Sequence, residues 1–241
     1  MQNTPYAFSN CVVTAHIPAF IASVDYRLAP EHRLPAAYND GMDAVVWAKT
    51  QALSSSSSLE HVDFSRVFLM GTSCGGNIVY HVGLRALDLD LQPLKIVRLI
   101  MNQPPFGGLT WSQSELKNIN DPVTLLHVAD LIWSLALPNG AYKDHEYCNP
   151  WAWASGSHSK KNIIGRLQAC MVRAYGGDPL IDRHKEFVEM LKACGVRVLP
   201  RFLNGGYHSA ELFEPSFVQP MYDDIRYFIN FFVQGLPLPK L

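Results

Sequence analysis

The chain has 241 residues, 48% of them hydrophobic and 17% charged, which is enough for one sizeable core, so a single domain over residues 1–241 is expected. A net charge of −1 offers no basic surface for nucleic acid or an anionic membrane. No apolar run reaches the length of a membrane span, and Met1-Gln2-Asn3-Thr4-Pro5 has no basic region ahead of an apolar stretch, so the expected compartment is the cytoplasm.

In chain order, Ala19 to Tyr26 is a β-rich run read as a strand, and Leu34 to about Leu53 carries apolar residues at helical spacing. Ser54 to Ser58 reads as a polar surface loop. Arg66 to Met70 is a short buried strand, Gly76 to Leu87 a helix and Ile96 to Asn102 a strand. Residues 103–121 read as loop, Val123 to Leu137 as a strongly apolar helix and 138–165 as irregular and aromatic. Ala169 to Tyr175 is a strand, His184 to Ala193 a helix, Val196 to Phe202 a strand and Met221 to Val233 a closing helix. Strands alternating with helices argue an α/β fold, a mostly parallel sheet with helices on both faces. The five cysteines, Cys11, Cys74, Cys148, Cys170 and Cys194, are odd in number and widely spaced. That suits free buried thiols in a reducing compartment better than disulfides or a zinc site.

One stretch carries chemistry. Gly71-Thr72-Ser73-Cys74-Gly75 reads Gly-x-Ser-x-Gly between a strand and a helix, the pattern of the α/β-hydrolase nucleophile elbow. There the serine is forced outward above the sheet edge, and small residues at 71 and 75 let neighbouring backbone pass close. Serine needs a base to take its proton, and the base needs an orienting acid; in this fold they follow in the order Ser, Asp, His. Asp178 follows the next-to-last strand and His208 the last, both in loops at the sheet end where such folds place their sites. Ser73, Asp178 and His208 are therefore the candidate nucleophile, acid and base. The Cys74 backbone N–H is the candidate oxyanion donor.

Plainer readings stand beside these. Asp178 before Pro179 suits a turn, Asp182 is a rival acid better placed to cap the helix after it, and His208 suits an ordinary loop. Ser73 suits a glycine-rich turn, and Cys74 is an alternative nucleophile that points differently from the elbow residue. His81 and His127 sit on helices as packed or surface residues. No His/Asp/Glu grouping has metal-site spacing, and the glycine pairs 107–108 and 205–206 lack the context of a nucleotide loop, so neither metal nor cofactor is expected. The Val123–Leu137 helix with Trp151 and Trp153 is either core packing or a cap lining an apolar pocket over the serine.

The run from Asp25 to Tyr38, Asp-Tyr-Arg-Leu-Ala-Pro-Glu-His-Arg-Leu-Pro-Ala-Ala-Tyr, resembles the signature of the hormone-sensitive-lipase-like α/β-hydrolases. Gly71 to Asn77, Gly177-Asp178-Pro179-Leu180 and Gly206-Tyr207-His208 fit the same family in order. The likeness is greatest to the plant carboxylesterases, the group related to the gibberellin receptor. It implies an α/β-hydrolase fold with a small helical cap at about 105–165, and a Ser73–His208–Asp178 triad acting on small-molecule carboxylic esters without a cofactor. Thr72 stands where the family usually has Asp, and Cys74 where it has a small residue. The His-Gly-Gly-Gly that supplies the family's main oxyanion donors is absent, and Pro5 to Cys11 resembles the helix that follows it. Each lost donor costs about 2.7–4 kcal/mol of transition-state stabilisation. The resemblance thus implies an N-terminally shortened esterase, its first strands and oxyanion loop missing. The alternatives are a hormone-binding protein of the gibberellin-receptor kind and an inactive remnant.

Overall fold

The computed structural model describes residues 17, 19–54 and 59–233. The helix-like segment at 5–11 and most of the serine run lie outside the described residues. Residues 26–209 form one compact unit, and residues 17, 19–25 and 210–233 belong to a second.

The first unit is built on four parallel strands in sequential order, β1 (Val67–Thr72), β2 (Ile96–Asn102), β3 (Cys170–Tyr175) and β4 (Val198–Leu203). β2 and β3 are buried almost throughout, as parallel strands covered on both faces must be. β1 and β4 are only partly covered. Thr72, Asn102 and Arg173 are paired in register, so β1 and β2 leave the sheet at the same level. Helix α1 (Ala36–Leu53) packs on α2 (Cys74–Ala86), which packs on β1 and β2. Between β2 and β3 lie α3 (Gln113–Lys117), α4 (Leu126–Ala136), α5 (Pro150–Ser155) and α6 (His158–Gly165). α7 (Ile181–Ala193) packs on β3 and β4. The core joins Val79 and Val82 of α2, Leu99 and Met101 of β2, and Phe187 and Leu191 of α7. In the second unit a 3-10 turn, Ala210–Leu212, packs against α8 (Pro215–Val233), which buries Met221, Ile225 and Phe228 at helical spacing.

Three expectations need correction. Residues 19–26 form no strand, and Phe20 and Val24 are exposed. A strand exists through its ladder, and the four-stranded sheet among the described residues includes no part of this run. The stretch 103–121 contains a helix, α3, begun by a capping box in which Ser112 and Glu115 satisfy each other's backbone N–H groups. The stretch 138–165 contains α5, capped by the Asn149 side chain with Pro150 in its first turn, and α6, capped by Ser157. These helices are too short to show a period. The apolar helix α4, open in the sequence to core packing or a cap, leaves Val128, Leu131 and Ile132 exposed.

Candidate active site

β1 runs into α2 through Ser73, whose backbone sits at φ 51, ψ −124, a strained conformation for a residue with a side chain. The turn survives because Gly71 has no side chain: a Cβ there would lie 2.2 Å from the Gly75 carbonyl carbon and oxygen. The requirement runs one way, since a Cβ on Gly75 would meet nothing within 4 Å. The Ser73 N–H donates to the Asn102 carbonyl at 2.9 Å, tying the elbow to the end of β2. Asn77 of α2 accepts from the Tyr38 hydroxyl at 2.7 Å and donates to the Pro105 and Tyr147 carbonyls, fixing the elbow helix to α1 and to the chain beyond β2.

The candidate acid and base come from the ends of β3 and β4. Their loops touch backbone to backbone, and a Cβ on Gly177 would lie 2.1 Å from the Gly206 carbonyl oxygen. Asp178 is completely buried; one carboxylate oxygen accepts the Leu180 N–H at 2.8 Å and the other accepts from His208 Nδ1 at 2.8 Å. His208 Nε2 stands 2.8 Å from Ser73 Oγ. An ionised carboxylate only accepts, so the proton sits on Nδ1 and the Nε2 lone pair faces the serine hydroxyl. Burial pushes the Asp178 carboxyl up, but the hydrogen bond from His208, the electrostatic contributions of His184 and His208 and the Leu180 N–H outweigh it and hold the group below its ordinary value. Cys74 is the first residue of α2, where a backbone N–H has no acceptor within the helix and the helix dipole favours negative charge.

The rival and bystander residues also have places. Asp182 caps a helix, but not its own: its carboxylate accepts the Ser114 N–H of α3 at 2.8 Å, while Leu180 occupies the N-cap of α7. His81 is buried and stacks on Tyr38 with ring centroids 4.5 Å apart, and His127 is exposed beside Trp111. Cys148 and Cys170 are buried free thiols, Cys194 is half-buried and Cys74 is exposed; Cys11 is outside the described residues. Residues unmarked in the sequence tie the segment after β2 to the acid side of the site. Arg183 of α7 forms a buried ion pair with Glu115 of α3 at 3.0 Å and also donates to the Thr110 carbonyl. Gln103, directly after β2, accepts the Ser209 N–H on its side-chain oxygen. A cavity of about 190 Å³ lined by Tyr80, His81, Arg85, Glu146 and Trp153 includes none of Ser73, Asp178 and His208. Among the described residues, no cluster of three or more His, Cys, Asp or Glu side chains could hold a metal ion, and no helix is long and apolar enough to cross a membrane.

Comparison with known proteins places this chain in a lineage. The profile of a family described as having the alpha/beta hydrolase fold matches residues 8–212. The 3-O-acetylpapaveroxine carboxylesterase CXE2 of Papaver somniferum is 46% identical over 222 residues, 90% of this chain and 71% of the relative. The chain belongs to the plant carboxylesterase family of hormone-sensitive-lipase-like α/β-hydrolases. Probable carboxylesterase 8 of Arabidopsis thaliana is 42% identical, over 95% of this chain and 71% of its own length. The gibberellin receptor GID1 of Oryza sativa subsp. japonica is 39% identical over 180 residues, 74% of this chain and 48% of the receptor. Among solved structures, carboxyl esterase 2 of Tuber melanosporum superposes with a TM-score of 0.77 at 18% identity, covering 93% of this chain and 72% of that one. The esterase of Pyrobaculum calidifontis gives 0.75 at 22%, covering 90% and 67%. At these identities the structural likeness speaks for the fold.

Proposed function

We propose that this plant carboxylesterase-family chain hydrolyses carboxylic esters through Ser73, His208 and Asp178. The observation that carries the reading is the continuous relay from Ser73 Oγ to His208 Nε2 and from His208 Nδ1 to Asp178, both links 2.8 Å. Ser73 Oγ attacks the ester carbonyl carbon while its proton passes to His208 Nε2. Asp178, ionised and buried, stabilises the imidazolium and holds its orientation. The tetrahedral oxyanion faces the Cys74 N–H at the positive end of α2. Collapse breaks the carbon–oxygen bond to the alcohol, which leaves with the proton from His208, and an acyl-Ser73 ester remains. Water deprotonated by His208 then attacks that ester, releases the acid and returns the proton to Ser73.

The poppy relatives are named for an O-acetylated substrate, so acetyl esters are the first class to test on this chain. A fluorophosphonate probe reports the activated nucleophile independently of substrate choice. Labelling of the folded protein that disappears in Ser73→Ala supports the esterase reading. No labelling of a folded sample overturns it in favour of a binding protein or an inactive relative.

A further inference from the structure

Three non-glycine residues among those described have φ in the left-handed region, Ser73 at 51°, Gln103 at 50° and Ser209 at 57°. All three meet at one junction. Ser73 follows β1, Gln103 follows β2, and Ser209 follows His208. They are joined by hydrogen bonds that cross between strands. The Ser73 N–H donates to the carbonyl of Asn102, and the next residue, Gln103, donates its own N–H to the Arg173 carbonyl of β3 at 2.7 Å. The Gln103 side-chain oxygen then accepts the N–H of Ser209. Gln103 is completely buried and Ser209 nearly so, which leaves little water to replace that acceptor. Adjacent residues at the end of β2 thus hold the nucleophile by a backbone carbonyl and the loop of the base by a side chain. Strain concentrated where three strands deliver a reacting pair is the kind that surrounding structure must over-determine.

We propose that Gln103 is a positioning residue, which sets the His208 ring against Ser73 through the Ser209 backbone. The proposal rests on the esterase reading for its effect on turnover, but the placement of His208 is measurable without turnover. Side-chain length is the decisive variable. Asn tolerates a left-handed backbone at least as well as Gln, so Gln103→Asn keeps the fold while its oxygen falls one methylene short of Ser209. Gln103→Glu restores the reach with an oxygen acceptor in place.

The experiment compares wild type, Gln103→Asn and Gln103→Glu in ester hydrolysis and in the downfield proton spectrum, where the His208 Nδ1–H bonded to Asp178 is observed. The expected result for Gln103→Asn is a roughly 10- to 100-fold fall in kcat with KM within about twofold, and a broadened or shifted Nδ1–H resonance in a protein that stays folded with its thermal midpoint only a few degrees lower. Gln103→Glu is expected to recover most of the resonance and of kcat. A Gln103→Asn protein with wild-type resonance and kcat overturns the proposal, as does a loss shared equally by the Asn and Glu variants. If wild type shows no turnover or probe labelling, the esterase reading fails, and the resonance comparison still decides whether Gln103 positions His208.

Discussion

Two buried histidines are expected to make the chain acid-labile well above the range in which its carboxylates titrate. His184 of α7 is completely buried, and burial pushes its pKa from 6.5 down to about 4 against the opposing pull of Asp178. His81 of α2 lies between the Tyr38 and Tyr147 rings; burial, then the Arg85 cation, push it down to about 3, opposed by a hydrogen bond with the Tyr147 backbone. Both folded-state values are lower than the unfolded one, so between about pH 6.5 and pH 4 the unfolded chain binds protons that the folded chain refuses. Stability therefore falls as pH falls through that window. For these values, lowering the pH from 8 to 5 costs about 2 kcal/mol per histidine and about 4 kcal/mol for the pair. Asp178, with its folded pKa lowered, contributes stability that is lost only at pH values below its ordinary 3.8, outside the window. Urea unfolding followed by tryptophan fluorescence at pH 8, 6 and 5 measures the loss in wild type, His81→Phe and His184→Gln. Each variant should retain about half of the wild-type pH dependence. Identical pH dependence in all three would refute the reasoning, because the protons would then be taken up elsewhere.

Asp178→Asn removes the charge that fixes the His208 tautomer, and kcat for an ester substrate should fall by roughly 10⁴ while the protein stays folded by circular dichroism; a loss under tenfold contradicts the relay. Gly71→Ala places a methyl 2.2 Å from the Gly75 backbone, so the elbow must open; probe labelling of Ser73 should be lost even in whatever fraction folds, and normal labelling would show that the turn is not sterically required. Glu115→Ala removes the buried carboxylate of Arg183 and leaves the half-exposed Glu186 carboxylate, 3.3 Å away, as its remaining ion-pair partner; it should cost about 1.5–3 kcal/mol in urea unfolding, whereas Glu115→Ala made together with Arg183→Met should recover part of that loss. A single variant within about 1 kcal/mol of wild type would mean that Glu186 and water together replace the lost carboxylate.

Much of the first unit is legible in the amino-acid order because its signals are local. An apolar run ending in Gly71, followed by a helix-forming segment, specifies strand, turn and helix within twenty residues. Each later strand ends in a glycine-containing loop, which is enough to single out Asp178 and His208 from the other carboxylates and histidines. Capping signals at Ser112 and at Asn149-Pro150 are equally local, and they mark helices whose periodicity is too brief to register. What needed the tertiary structure is every relation in which a residue's partner lies far along the chain. Residues 19–26 have strand composition but no described neighbour to complete a ladder, so composition alone could not decide their state. Asp182 has capping chemistry, yet the N–H it accepts is 68 residues away on α3. Gln103 is an unremarkable residue at a strand end until folding brings Ser209, 106 residues on, against its side chain. The sequence alone determined which residues carry the proposed chemistry and the order in which the sheet presents them. The tertiary structure decided which groups hold them in register, because a hydrogen bond depends on distances of about 3 Å that chain order does not encode across a fold.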